Sequence, residues 1–237
     1  MGRALDIQLR VIPSSVANPF IDSHHYSGKH VNNSKIHFGA FLDGRLHGVM
    51  SFGPPMDKSK VLGLVEGTGW NQMLELNRMA FDDALPRNSE SRCISIAMKL
   101  LKKNAPQVKW VISYADACQC GDGAIYRASG FVLTGIRENK TCAVLPDGSE
   151  ITDLAFRVTR SKKRPELGGV SAMDYFNSAV PSFEKYLEVV GGRICAGYQI
   201  RYIYFIDKTW RSRLTVPEIP FSRIDEMGAG MYKGERR

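Results

Sequence analysis

Apolar and polar residues alternate over residues 6–13 (DIQLRVIP), a period of two that predicts a first strand. Residues 14–26 read as a helix: Ser14 or Ser15 can cap its start, and Val16, Phe20 and Ile21 can share one face. The clearest local signal is residues 37–52 (HFGAFLDGRLHGVMSF). Two β-rich runs there flank Asp43-Gly44, a dipeptide that supplies the positive-φ pair of a tight hairpin turn. Gly53-Pro54-Pro55 ends the hairpin, and residues 74–81 (LELNRMAF) predict the next strand. Across residues 89–104, Ile94, Ala97, Met98 and Leu101 recur at helical spacing, with Ser89 as a cap and Lys99, Lys102 and Lys103 toward the negative end. Residues 108–115 (VKWVISYA) read as a buried strand, and residues 122–129 as a short helix stopped by Gly130. Residues 131–137 and 153–159 read as further strands, and residues 161–169 (SKKRPELGG) as a basic linker. A helix over 175–190, a strong strand over 197–207 and an irregular basic tail over 217–237 complete the chain. The pattern predicts an α/β domain over residues 1–160, with a basic extension, residues 161–237, packed on it.

Composition narrows the class. Of 237 residues, 43% are hydrophobic and 24% charged, enough to bury a core. No apolar run reaches the roughly 18–20 residues that span a bilayer, and residues 1–10 lack a signal-peptide core, so a cytosolic protein is expected. Five cysteines, Cys93, Cys118, Cys120, Cys142 and Cys195, form no CxxC pair, which argues against a disulfide framework or structural zinc. Cys118-Gln-Cys120 can touch a metal, although a pair of free loop thiols is the plainer reading. The net charge is +8 and uneven: residues 157–237 carry 15 basic side chains against 9 acidic, residues 1–156 carry 17 against 15. A basic second half suits a polyanion such as nucleic acid, or simply keeps the protein soluble.

The element order resembles the GNAT N-acetyltransferase superfamily. That resemblance implies a mixed, mostly antiparallel sheet flanked by helices, whose two central parallel strands splay apart to admit an acyl donor. The matching strands would be residues 74–81 and 108–115, and the donor-facing helix residues 89–104. Such enzymes usually cradle the coenzyme A pyrophosphate on a Gly-rich loop, where glycine lets backbone approach the phosphates. Here the stretch is Pro86-Arg87-Asn88-Ser89-Glu90-Ser91-Arg92, without glycine. Arg87, Ser89, Ser91 and Arg92 at the helix start can still bind an anion, and a larger polyphosphate donor such as a charged tRNA is allowed.

More specific are His24-His25-Tyr26-Ser27-Gly28-Lys29, His37-Phe38-Gly39-Ala40, Glu75-Leu76-Asn77-Arg78-Met79, Ser113-Tyr114-Ala115-Asp116, Gly123-Ala124-Ile125-Tyr126-Arg127-Ala128 and Gly130-Phe131. In this order they closely resemble the Mom family of phage DNA-modification proteins, over most of the chain. Many relatives carry Gly-His where this chain has Gly121-Asp122. The resemblance implies an enzyme, made late in infection, that converts adenine in double-stranded DNA to N6-carbamoylmethyladenine in the host cytoplasm and so protects phage DNA from restriction.

The resemblance also implies a site. His25 and Tyr26 match the family's active-site pair, for base catalysis, base stacking or metal binding; a solvated loop is the bland alternative. Asp116, ending the central strand, can accept a hydrogen bond from the adenine N6 amino group or cap a turn. Tyr126 stands where related enzymes keep a tyrosine acid, or it is a packed aromatic. Arg78 can clamp a phosphate or carboxylate, or form a surface ion pair. Ser113 and Tyr114 are weaker candidates. Lys29 and Lys162-Lys163-Arg164 are expected to track the DNA backbone. Tyr198, Tyr202 and Tyr204 fit core packing better than base stacking. The favoured donor is glycyl-tRNA, with acetyl-CoA the alternative; iron on His25 and Asp116 is a secondary option. Two rivals remain at this point: an ordinary acetyl-CoA-dependent N-acetyltransferase and a non-enzymatic phage DNA-binding regulator.

Overall fold

Asp43 (φ 51°) and Gly44 (φ 77°) adopt the left-handed backbone that a two-residue hairpin turn requires. The computed structural model describes residues 3–116, 121–195, 197–232 and 235–236. In chain order the first part contains β1 (Gln8–Val11), α1 (Ser14–His24), β2 (Ile36–Leu42), β3 (Arg45–Gly53), α2 (Lys58–Leu62), β4 (Met73–Phe81), α3 (Ser89–Asn104), β5 (Trp110–Asp116), α4 (Ala124–Ala128) and β6 (Val132–Glu138). A small lobe follows: β7 (Cys142–Val144), β8 (Glu150–Thr152), α5 (Asp153–Val158), β9 (Lys163–Arg164), β10 (Val170–Ser171), α6 (Ala172–Tyr175), α7 (Phe183–Val190) and β11 (Arg193–Ile194). The chain then returns as β12 (Tyr198–Phe205), followed by α8 (Ser222–Glu226) and a short antiparallel pair, β13 (Met231–Tyr232) and β14 (Glu235–Arg236).

The main sheet runs β1-β2-β3-β4-β5-β12-β6, antiparallel at every junction except the parallel pair β4–β5. It is the mostly antiparallel α/β architecture that the sequence predicts. One side carries the larger core: Phe38, Met50, Phe52, Leu76, Val111 and Ala115 pack against Ile94, Ala97, Met98 and Leu101 of α3, with Tyr126 of α4 and Ile224 of α8. On the other side α1 covers β3 and β4 through Ala17, Ile21, Val49 and Ala80. Val61, Val65 and Trp210 cover Met73, Trp110 and Ile112 there.

Several expectations are corrected. Residues 153–159 form a helix, not a strand: Thr152 Oγ1 accepts the Ala155 N–H at 3.1 Å and so caps the turn. The division at residue 160 cuts through the sheet, because β12 lies between β5 and β6 rather than on the outside. The separate unit is the lobe between β6 and β12, with its own core of Ala143, Phe156, Leu167, Phe183, Tyr186 and Leu187. Residues 161–169 therefore belong to that lobe, where β9 pairs with β10. The tail is not irregular throughout, since Ile224 and Ala229 are buried in the large core. Neither serine caps α1; Pro13 precedes it, and Val16 points outward while Ala17 is buried. Asn88, not Ser89, stands at the start of α3, in a left-handed conformation (φ 70°).

The tyrosines of β12 do pack: Tyr202 is fully buried, and Tyr198 donates to the Met227 carbonyl at 3.0 Å. Cys93 and Cys142 are buried, and Cys195 Sγ lies 3.6 Å from Cys142 Sγ, whereas Cys118 and Cys120 lie outside the described residues. Among the described residues no helix is long and apolar enough to cross a membrane.

Candidate active site

The parallel pairing of β4 with β5 lasts for three positions, Met73 with Trp110, Leu74 with Val111 and Glu75 with Ile112. Beyond them β4 continues to Phe81 and β5 to Asp116, each held only by its outer neighbour, so the sheet opens there. A second irregularity sits at the same level. Ser51 faces Arg78 and Phe52 faces Leu76, which leaves Asn77 bulged out of the β3–β4 register. The extra residue shifts the alternation of β4. Leu74 and Leu76, then Met79 and Phe81, all face the α3 core, so Glu75 and Arg78 share the opposite face with Ala80.

That face carries a row of polar side chains across the sheet. His37 of β2 hydrogen-bonds Ser51 of β3 through Nδ1 at 2.7 Å, and Ser51 is the register neighbour of Arg78. Glu75 follows on β4, then Tyr114 on β5 and its register neighbour Arg201 on β12. The groups act on one another. Burial pushes the Glu75 carboxyl up to about 7, opposed by a hydrogen bond from Asn77 and by the Arg78 charge. Burial and the nearby Glu75 charge raise the Tyr114 phenol, while Arg201 and Arg137 oppose them. Burial lowers His25 to about 4, with Arg78 adding to it, so the ring is neutral at pH 7.

The end of α1 delivers His25 to this row. The Ser27 backbone N–H donates to His25 Nδ1 at 3.1 Å, which places the ring proton on Nε2. His25 is thereby presented as a neutral hydrogen-bond donor rather than a free base. Tyr26 stacks obliquely beside it, ring centroids 4.1 Å apart, and is 51% exposed. Arg78 holds the same loop: Nε donates to the Lys29 carbonyl at 2.9 Å and Nη1 to the Asn77 carbonyl at 2.7 Å. The guanidinium is a strut between β4 and the His25 loop, and the Lys29 side chain stays exposed.

The other anticipated residues are distributed around the opening. Asp116 ends β5 on the face of Tyr114, and Asn139 Nδ2 donates to its carboxylate at 3.2 Å. Tyr126 approaches from the opposite side, under α4, packed between Phe131 and Tyr202 with centroids 5.3 Å away in both cases. Its helix is fixed by Asp122, which pairs with Arg127 at 3.2 Å and whose carbonyl accepts the Tyr202 hydroxyl. Gly123 (φ 80°) is required there, because a Cβ would lie 2.5 Å from the Tyr202 ring. The Ser113 hydroxyl, one residue past the last parallel pair, is buried without a hydrogen-bond partner among the described residues. His25, Tyr26 and Asp116 thus share one side of the sheet with Arg78, and Tyr126 stands on the other.

The start of α3 forms a cavity of about 340 Å³ lined by Asn88, Ser91, Arg92, Ser95 and Lys99, among others. Arg92 reaches the Leu5 carbonyl at 3.2 Å, and its Nε is buried without a partner. Ser91 Oγ donates to the Asn88 carbonyl at 3.2 Å, and Arg87 is exposed. Ser89 differs from the expectation: it is 1% exposed and its hydroxyl donates to the Pro86 carbonyl, so it is turned away from any anion. Lys162 and Lys163 are exposed on the lobe. Arg164 is not: it lies over the Phe156 and Tyr186 rings and donates to Thr159 Oγ1 at 2.7 Å, holding the lobe together instead of reaching outward. Among the described residues no group of three or more His, Cys, Asp or Glu is placed to hold a metal ion, so His25 and Asp116 form no such set there.

Glu75, Asn77, Arg137 and Arg201 were not anticipated as site residues. Glu75 interrupts the apolar run LEL with a charge at the position where the strands part. That signal is visible in the sequence but reads equally well as the solvent face of an ordinary strand.

A sheet opened between two parallel strands, lined by a neutral imidazole, a buried carboxyl and a phenol, is the architecture of a group-transferring α/β enzyme. Solved N-acetyltransferases resemble it weakly. One from Staphylococcus aureus is 10% identical, with 84% of this chain and 98% of that chain covered and a TM-score of 0.46. An acetyltransferase from Bacillus subtilis, solved with CoA, is 10% identical over 84% and 97%, with a TM-score of 0.44. The chain belongs to the Mom protein family, which it matches over residues 6–223. It is 32% identical over 210 residues to the methylcarbamoylase mom of Escherichia phage Mu, covering 88% of this chain and 79% of that relative. The chain is accordingly a transferase.

Proposed function

We propose that this enzyme modifies adenine in double-stranded phage DNA to N6-carbamoylmethyladenine and thereby shields that DNA from host restriction. The observation that carries the reading is the opening between β4 and β5, with His25, Tyr26 and Asp116 on one side of it. The name of the phage Mu relative, a methylcarbamoylase, supports the chemistry. Because adenine N6 lies inside the base pair, the base must leave the stack, at a cost of a few kcal/mol. The exposed Tyr26 ring offers a surface to stack against it. Asp116 accepts the N6–H as N6 attacks an acyl carbon, and His25 Nε2–H, with peptide N–H groups on the parted strands, holds the developing oxyanion. Tyr126, on the far side, protonates the leaving group.

Activated glycine, as glycyl-tRNA, is the donor that completes the product with fewest steps. N6 attacks the glycyl ester carbonyl, and the tRNA 3′-oxygen leaves with a proton. The glycyl amine then attacks adenine C6 through a five-membered ring, and the original N6 departs as the amide nitrogen of the same group. Atoms balance without an oxidant. Acetyl-CoA remains the alternative donor, but it needs an added oxidant and nitrogen source. The cavity beside Ser91, Arg92 and Lys99 suits the phosphates of either. Lys29, Lys162 and Lys163 are exposed cations available to the DNA backbone. In cells fed ¹⁵N-glycine and expressing the chain, mass spectrometry of DNA nucleosides is expected to find one more ¹⁵N in N6-carbamoylmethyladenine than in unmodified adenine, whose ring also takes up glycine nitrogen. Modified base without that extra label removes the glycyl donor; unmodified adenine throughout removes the function.

A further inference from the structure

We propose that Glu75 forms the subsite that recognises the α-ammonium group of an aminoacyl donor, so that the enzyme selects a glycyl group over an uncharged acyl group. The inference rests on the proposed glycyl transfer and adds to it the residue that reads the donor.

Glu75 stands at the last hydrogen-bonded position of the parallel pair, where β4 and β5 part. The bulge at Asn77 turns its carboxyl and Arg78 onto one face, and Asn77 hydrogen-bonds that carboxyl. Tyr114 lies beside it on β5, with Arg201 of β12 and Arg137 of β6 acting on the phenol, and Arg78 of β4 acts on both Glu75 and His25. Arg78, which acts on Glu75 directly, gives two of its nitrogens to the Lys29 and Asn77 carbonyls and weighs least on the carboxyl. His25 is neutral, so it supplies no charge. A desolvated carboxylate at the parting of two strands, which Arg78 offsets only in part, is costly by itself and becomes favourable when a ligand brings a cation. The adenine acceptor brings none, because its N6 is neutral and is met by Asp116. A glycyl ester does bring one, its ammonium, two bonds from the reacting carbonyl. The same carboxylate can then take the proton that this ammonium must lose before its nitrogen attacks C6.

The test compares two donors on an adenine-containing duplex: glycyl-tRNA and glycolyl-tRNA, in which a neutral hydroxyl replaces the amine. Nucleoside mass spectrometry reads both products. Wild type is expected to prefer the glycyl donor, and Glu75→Gln to reduce that preference on the order of 100-fold, since it leaves the ammonium without its charged partner. Glu75→Asp is expected to retain the preference at lower kcat/KM. On wild type alone, the preference is expected to grow from about pH 5 to about pH 7 as the carboxyl ionises, and to fall above about pH 8 as the glycyl ammonium loses its proton. A flat pH profile, or an unchanged preference in Glu75→Gln, overturns the subsite. A folded Glu75→Gln that loses both donors equally also overturns it, by moving Glu75 to the acceptor. Wild type that uses neither donor overturns the glycyl reading beneath it.

Discussion

The two faces of the main sheet are built from alternate residues of the same strands, yet they are opposites where β4 and β5 part. Toward α3 stand Leu74, Leu76, Val111 and Ala115, packed in the large core. Toward α1 stand Glu75, Arg78, Tyr114 and Arg201, each modifying its neighbour's charge. The first face keeps the strands in place and the second uses the space between them. The contrast explains why an opening in a sheet is tolerated: the apolar side remains continuous through α3, which packs on both strands where their ladder stops. The bulge at Asn77 is the device that joins the two, since without it Arg78 would point into the α3 core.

The largest expected effect breaks the apolar face. Leu76→Ala should cost about 2–4 kcal/mol of stability through the cavity it leaves, seen as a lower urea midpoint. A cost below about 1 kcal/mol would mean that this face is not the scaffold. Next, on the polar face, Arg78→Ala should lower product formation on the order of 100-fold while leaving the urea midpoint nearly unchanged, because the strut to the Lys29 carbonyl positions His25. Arg78→Lys is expected not to restore it, because one ammonium cannot span the Lys29 and Asn77 carbonyls.

Titration sharpens the comparison further. The Glu75 carboxyl is raised to about 7 in the fold, so the native state holds a proton that the unfolded chain has released once pH passes the ordinary carboxyl range, near 4.5. Stability from this group is therefore full at low pH and is lost as pH rises toward about 7. Glu75→Gln should raise the melting temperature at about pH 8 and leave it nearly unchanged at about pH 5. The smallest effects lie in the lobe. Lys162→Ala and Lys163→Ala should each reduce the salt slope of DNA binding by about 1. Arg164→Ala should instead loosen the lobe, read by faster amide exchange in α5 and α7, with that slope unchanged.

Much of the frame was legible because it is written in local patterns. The 43–44 turn, the helix at 89–104 and the strands of the hairpin follow from periodicity and from two positive-φ residues. Residues 153–159 misled, because Leu154, Phe156 and Val158 alternate as in a strand while the Thr152 cap decides for helix. Arg164 misled in a similar way: it belongs to a basic run, and only the folded lobe shows Phe156 and Tyr186 beneath it.

The sequence by itself determined the hairpin, the helix at 89–104, the candidate residues His25, Tyr26, Asp116 and Tyr126, and the family. Only the tertiary structure decided that β12 enters the sheet between β5 and β6, that Tyr126 stands across the sheet from His25, and that Glu75 sits at the parting of two strands. The reason is physical: periodicity reports which face of an element is apolar, but the neighbour that element meets, and hence the charge on a buried carboxyl, is set by pairing between segments far apart in the chain.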